Sequence, residues 1–160
     1  MVECIVCRPA VNERLELEEA ELDLNRGLVG DNWLDRGDPD EPEGRAHPDM
    51  QLNLMNSRAI ALIAQSKDRW QLAGDQLYID FDLSPDNLPP GTRLAIGEAV
   101  IEVTAEPHLG CSKFMARFGR DAAIFVNSKL GKTLNLRGIN AKVITPGRVS
   151  VGSLVNKVTR

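Results

Sequence analysis

Basic charge is in short supply. The chain carries 19 Lys and Arg against 23 Asp and Glu, a formal net charge of −4 with a pI near 5.2. That balance excludes a general nucleic-acid or anionic-membrane binder, which needs a broad positive field; a local basic patch stays open. No apolar run approaches the roughly 20 residues that a bilayer span requires. The opening MVECIVCRPA lacks a basic segment followed by a long apolar stretch, so it does not read as a signal peptide. Cysteines number only three, an odd count that argues against a disulfide framework. Together these absences predict a reduced, cytoplasmic protein that binds neither nucleic acid nor membrane.

What is present fits one domain spanning residues 1–160. The 42% apolar and 26% charged content is that of an ordinary packed domain, and 160 residues suffice for a real core. VECIVCRPA is rich in β-branched and apolar residues and ends in a proline, as a first strand should. LDRGDPDEPEGRAHPD is crowded with Pro, Gly, Asp and Glu and predicts a loop. Residues 56–70 predict the longest helix, capped by Asn56 or Ser57, with Ile60, Ile63 and Ala64 on one face. GDQLYIDFDL alternates, placing Leu77, Ile79, Phe81 and Leu83 on one side of a half-buried strand.

LPPGTRLAIGEAVIEVTAEP reads as a Pro-Gly turn, a strand, a Gly-centred turn and a second strand. ITPGRVSVGSLVNKV repeats that idiom and predicts a second hairpin. RDAAIFVNS predicts a short helix and LNLRGINAKVI a strand. The balance is β-rich, mainly β or α+β, barrel-like, with one longer and one short helix.

Among the motifs, Cys4-x-x-Cys7 with His108-x-x-Cys111 has the composition of a zinc set. Residues three apart on a strand point to opposite faces, so the reading predicts no structural zinc and leaves Cys4 and Cys7 as apolar fillers. LGKT lacks the glycine of a phosphate loop five residues earlier, where Val126 stands. Asp35, Asp38, Asp40 and Glu41 lack calcium-loop spacing. His47 lies in the Pro-rich loop, whereas His108 is close enough to Cys111 to influence its thiol. Cys111 follows a strand end and a glycine, with Lys113, Arg117 and Arg120 just beyond. A thiol near cations favours the reactive thiolate, and a buried cysteine with solvent-facing basic neighbours fits the same residues.

GLVGDNW, LPPGTRLAIGEAVIEVTAEPHLGCSKF and RGINAKVITPGRVSVGSLV, taken in order, resemble the MOSC domain, named for the C-terminal domain of molybdenum cofactor sulfurases. The resemblance implies a β-barrel-like fold and aligns Cys111 with the family's functional cysteine, a persulfide carrier or a molybdenum ligand. It implies that His108, Lys113, Arg117, Arg120 and Arg137 contact the phosphate-bearing molybdenum cofactor (molybdopterin), and that the partner is a sulfur donor protein or that small-molecule cofactor. As a single domain the chain would carry neither the companion N-terminal barrel nor the pyridoxal-phosphate desulfurase part found elsewhere in the family. The expected function is sulfur or cofactor handling through Cys111, as a sulfur transferase. Two alternatives stand beside it: a molybdenum-cofactor-dependent reductase of N-hydroxylated compounds, and a non-catalytic binding module with a structural Cys111.

Overall fold

The computed structural model of the chain describes residues 1–158. Among them are eleven strands: β1 (Val2–Cys7), β2 (Leu15–Leu17), β3 (Glu19–Asp23), β4 (Gly27–Leu28), β5 (Leu52–Asn56), β6 (Leu77–Ile79), β7 (Arg93–Ile96), β8 (Ala99–Val103), β9 (Ile139–Thr145), β10 (Gly147–Ser150) and β11 (Val155–Lys157). Eight form one curled sheet in the order β11-β7-β8-β9-β5-β6-β1-β2, and β10-β3-β4 form a second. Pairing is antiparallel except between β5 and β6. The result is a half-barrel of the β-rich kind expected, with strand narrowly exceeding helix.

Two apolar layers hold it together. The concave side of the large sheet packs Ile5, Leu52, Leu54, Leu77, Ile101 and Ala141 against Leu22, Leu28 and Val149 of the small sheet. The other side of β1, β5 and β6 packs Cys4, Val6, Met55 and Tyr78 beneath helices. These central strands are therefore buried on both faces, each large side chain contributing roughly 1.5–3 kcal/mol by leaving water. This is why the strand around residue 78 is not half-buried as its alternation predicts. Leu77 and Ile79 do face the barrel interior, with Leu83 and Phe81 packed there too. Tyr78 is buried on the other face, its hydroxyl donating to the Trp70 carbonyl at 2.7 Å.

Helical structure is richer than one longer and one short helix. It comprises α1 (Trp33–Arg36), α2 (Ser57–Ala64), α3 (Ser112–Phe118), α4 (Arg120–Asn127) and α5 (Lys129–Thr133), with a 3-10 segment over Lys67–Ala73. Asn56 caps α2 as expected, its Oδ1 accepting from the backbone N–H of Arg58 and Ala59 at 2.8 and 3.0 Å. The helix expected over 56–70 breaks at Gln65, whose φ of 66° is left-handed, and α2 is then no longer than α4.

The hairpin expected at the C-terminal end is also corrected. β7 and β8 pair as predicted, but β10 pairs β3 and β11 pairs β7. The two like-looking stretches cross each other: a Cβ on Gly147 would lie 2.6 Å from the Glu98 carbonyl carbon in the β7–β8 turn. That crossing sends β10 across to the small sheet and returns β11 to the free edge of the large one.

Candidate functional site

The segment between β8 and α3, residues 104–111, carries the chemistry singled out above. Apart from the Thr104 N–H, which donates to the Asn140 carbonyl of β9 at 3.0 Å, its backbone is tied to the sheet by side chains. The Asn140 Nδ2 on β9 donates to the carbonyls of Glu106 and Pro107 at 3.1 and 3.3 Å. Its Oδ1 accepts from Asn53 Nδ2 on β5 at 2.6 Å, and Asn53 Oδ1 accepts from Arg8 Nη1 at 2.9 Å. Arg8 in turn grips buried Asp31 through two parallel bonds of 2.8 Å. A buried line of polar groups thus runs from the end of β1, through β5 and β9, to the loop.

His108 is fixed by a second set. Its Nε2 lies 2.7 Å from Asp75 Oδ1, while Asp75 Oδ2 accepts from Arg137 Nη1 at 2.6 Å. Arg137 also donates to the Ala73 carbonyl at 3.0 Å and stacks on Phe114, its Cζ 4.9 Å from the ring centre. Burial pushes the Asp75 carboxyl up, but Arg137 and His108 outweigh it and hold it below the usual carboxylate range. Burial and then the Arg137 charge push His108 below its ordinary value, against the pull of Asp75. An ionised Asp75 beside a neutral imidazole places the shared proton on Nε2 and leaves Nδ1 as an acceptor.

The last stretch of the loop leans on α4. Asn127 Oδ1 accepts from the Gly110 N–H at 2.9 Å, and Asn127 Nδ2 donates to the Gly110 carbonyl at 2.8 Å. A Cβ at residue 110 would meet Val126 Cγ2 at 2.9 Å, so only glycine allows this approach.

Cys111 follows, exposed, at the start of α3, and its side chain makes no capping hydrogen bond. It opens on a recess of about 410 Å³ whose lining includes Ser112, Met115, Arg120, Ile124 and Asn127. Exposure removes the reading of Cys111 as core filler. Cys4 and Cys7 diverge as a strand requires, Cys4 to the helical layer and Cys7 to the barrel interior. Burial, then Glu16, pushes the Cys4 thiol up to about 12. Burial, then Asp31, also raises Cys7.

The cations named from the sequence do not gather at one point. Arg120 lines the Cys111 recess and Lys113 is exposed on α3. Arg117 reaches away, donating to the Leu72 carbonyl at 3.0 Å and standing 3.5 Å from Asn12 Oδ1. Arg14 lies beside it, held below its ordinary value by burial and then by Arg117 and Arg8. His108 and Arg137 line another recess, of about 320 Å³, that shares no lining residue with the first. Sequence reasoning missed Asp75, Asn127, Arg8, Asn53 and Asn140. A carboxylate opening an apolar strand, in GDQLYI, was the one signal that could have pointed to Asp75.

No family model matches the chain, and no curated protein matches it significantly. Solved structures do match. YiiM from Escherichia coli is 23% identical, with 99% of this chain and 70% of that one aligned at a TM-score of 0.62. The YuaD protein from Bacillus subtilis is 16% identical over 96% of this chain and 92% of that one, with a TM-score of 0.63. YiiM from Geobacillus stearothermophilus is 13% identical over 100% of this chain and 76% of that one, also at 0.63. At these identities the likeness shows a shared fold.

Proposed function

We propose that the chain is a stand-alone MOSC-type domain that handles sulfur or a molybdenum cofactor through Cys111. One observation carries the reading: the single exposed cysteine sits on a loop clamped by buried side chains and opens on a recess edged by Arg120. The ordered sequence motifs and the fold shared with YiiM and YuaD support it.

In the sulfur-carrier reading, the Cys111 thiolate attacks the outer sulfur of a donor persulfide. The donor's S–S bond breaks, its electron pair leaves on the donor thiolate, and a new S–S bond forms at Cys111. No net oxidation occurs, and the reverse step hands the sulfur on. Arg120, in the lining of the recess, stabilises the anion that arrives or departs.

The donor set also suits a molybdenum–pterin group. Cys111 offers a soft thiolate with free surface. Arg120, in the lining of the same recess, forms no ion pair among the described residues. Cys111 would hold the metal, Lys113 and Arg120 would meet the phosphate, and His108, Arg117 and Arg137 would act by fixing the loop and α3. Bound there, the group would supply two-electron transfer chemistry to an oxygen or sulfur centre.

Two measurements test the reading. Intact-mass analysis after incubation with a persulfide donor should show one added sulfur, mapped to Cys111 and absent in Cys111→Ser. Metal analysis of protein made in a cofactor-producing host should show molybdenum if the second form holds, again lost in Cys111→Ser. Neither sulfur nor molybdenum in the folded wild type refutes the proposal.

A further inference from the structure

The recess beside His108 lies outside the chemistry assigned to Cys111. Its wall is apolar where Pro107, Leu109 and Val126 contribute and polar where His108, Lys132 and Arg137 do. At about 320 Å³ it lies in the size range of small-molecule sites. The imidazole is built into it with unusual care. Nε2 is committed to Asp75, which is fully buried and braced by Arg137, itself 6% exposed. Nδ1 makes no hydrogen bond among the described residues. It is not sealed either, since the buried unpaired side-chain atoms among them are Arg14 Nε, Asn32 Oδ1, Ser57 Oγ and Arg137 Nε. The imidazole that lines the recess thus keeps an unbonded, unsealed nitrogen, an acceptor once Nε2 carries the proton to Asp75.

Charge in the lining is one-sided. Arg137 is cancelled by Asp75 behind it, and the lining of the recess contains no carboxylate. Lys132, exposed on α5, forms no ion pair among the described residues, so its ammonium is the one uncompensated charge of the lining.

We propose that this recess binds a small organic anion that also carries an O–H or N–H donor. The donor bonds to His108 Nδ1, the anionic group meets Lys132, and the apolar body rests on Pro107, Leu109 and Val126. The inference does not depend on the reading of Cys111, because the two recesses have separate linings.

The test is NMR of protein labelled with ¹⁵N-histidine, titrated with 4-hydroxybenzoate. The chain has only two histidines, so His47 serves as an internal control. Binding should shift the His108 Nδ1 resonance and leave His47 unmoved. Blocking the donor, with 4-methoxybenzoate, should weaken binding about tenfold, the scale of one lost hydrogen bond. Removing the anion, with phenol, or the cation, with Lys132→Ala on the exposed face of α5, should each weaken it about three- to tenfold. Equal affinity for the hydroxy and methoxy compounds would overturn the proposal. So would an unmoved His108, or an affinity indifferent to Lys132→Ala. Because Cys111→Ser should leave this titration unchanged, failure here is separable from failure of the sulfur or molybdenum reading.

Discussion

Replacing Asn127 by alanine should destabilise the protein by about 2–3 kcal/mol. The side chain makes two hydrogen bonds to one residue, accepting from the Gly110 N–H at 2.9 Å and donating to its carbonyl at 2.8 Å. Each is worth roughly 1 kcal/mol net, and part-buried partners left without a bond add to the loss. For a chain of 160 residues this corresponds to a fall in Tm of about 5–10 °C. Asn127→Asp separates hydrogen bonding from packing. It keeps an acceptor for the N–H but sets a second oxygen against the Gly110 carbonyl, so it should be no more stable than Asn127→Ala despite its matching size. The assay is urea unfolding of the three proteins, with amide exchange at residues 109–111 as the local readout. Exchange there should rise in both variants before the β1, β5 and β6 amides respond. A loss below about 0.5 kcal/mol in Asn127→Ala would refute the reasoning. It would mean that water replaces the clamp at no cost and that the loop is positioned from elsewhere.

Limited alkylation of native protein should modify Cys111 alone, because Cys4 and Cys7 are buried and their thiols are raised by that burial; peptide mapping that finds Cys4 or Cys7 labelled first would contradict the strand placement. Stability should also depend on pH through His108 and Asp75. The folded-state value of His108 lies below its ordinary 6.5, so the unfolded chain binds the extra proton, and stability is full above that value and declines as pH falls beneath it. Asp75 is likewise held below its ordinary 3.8, so its contribution persists to lower pH and erodes only beneath about that value. His108→Gln, which retains a donor for Asp75 but does not titrate, should flatten the decline between pH 7 and 5; urea midpoints across that range check it.

The local elements were legible wherever one periodicity met one environment. The β7–β8 hairpin, the Asn56 cap and the divergence of Cys4 from Cys7 all follow from spacing within a few residues. Environment defeated the pattern around Tyr78, because alternation signals a half-wet strand and cannot announce that helices arrive from residues 112–127 to cover the second face. It also defeated the second hairpin, whose strands find partners more than a hundred residues away for β10 and about sixty for β11. At the site, Cys111 stood out because a glycine and a run of cations surround it locally. Asp75, Asn127 and Asn53 did not. Each works through a partner 17 to 87 residues distant, and nothing beside them in the chain marks that partner.

The position of β9 has a consequence for how the molecule is made. In the large sheet it is the strand that joins β11-β7-β8 to β5-β6-β1-β2, and Asn140 on it ties down the Glu106–Pro107 backbone. A nascent chain that has emerged as far as Phe118 already holds Cys111 and most of both half-sheets, yet has nothing to close them. The thiol therefore emerges from the ribosome well before the scaffold that positions it. During that interval the edges of β8 and β5 that β9 will cover lie open to pairing with another chain, until residues 139–145 follow.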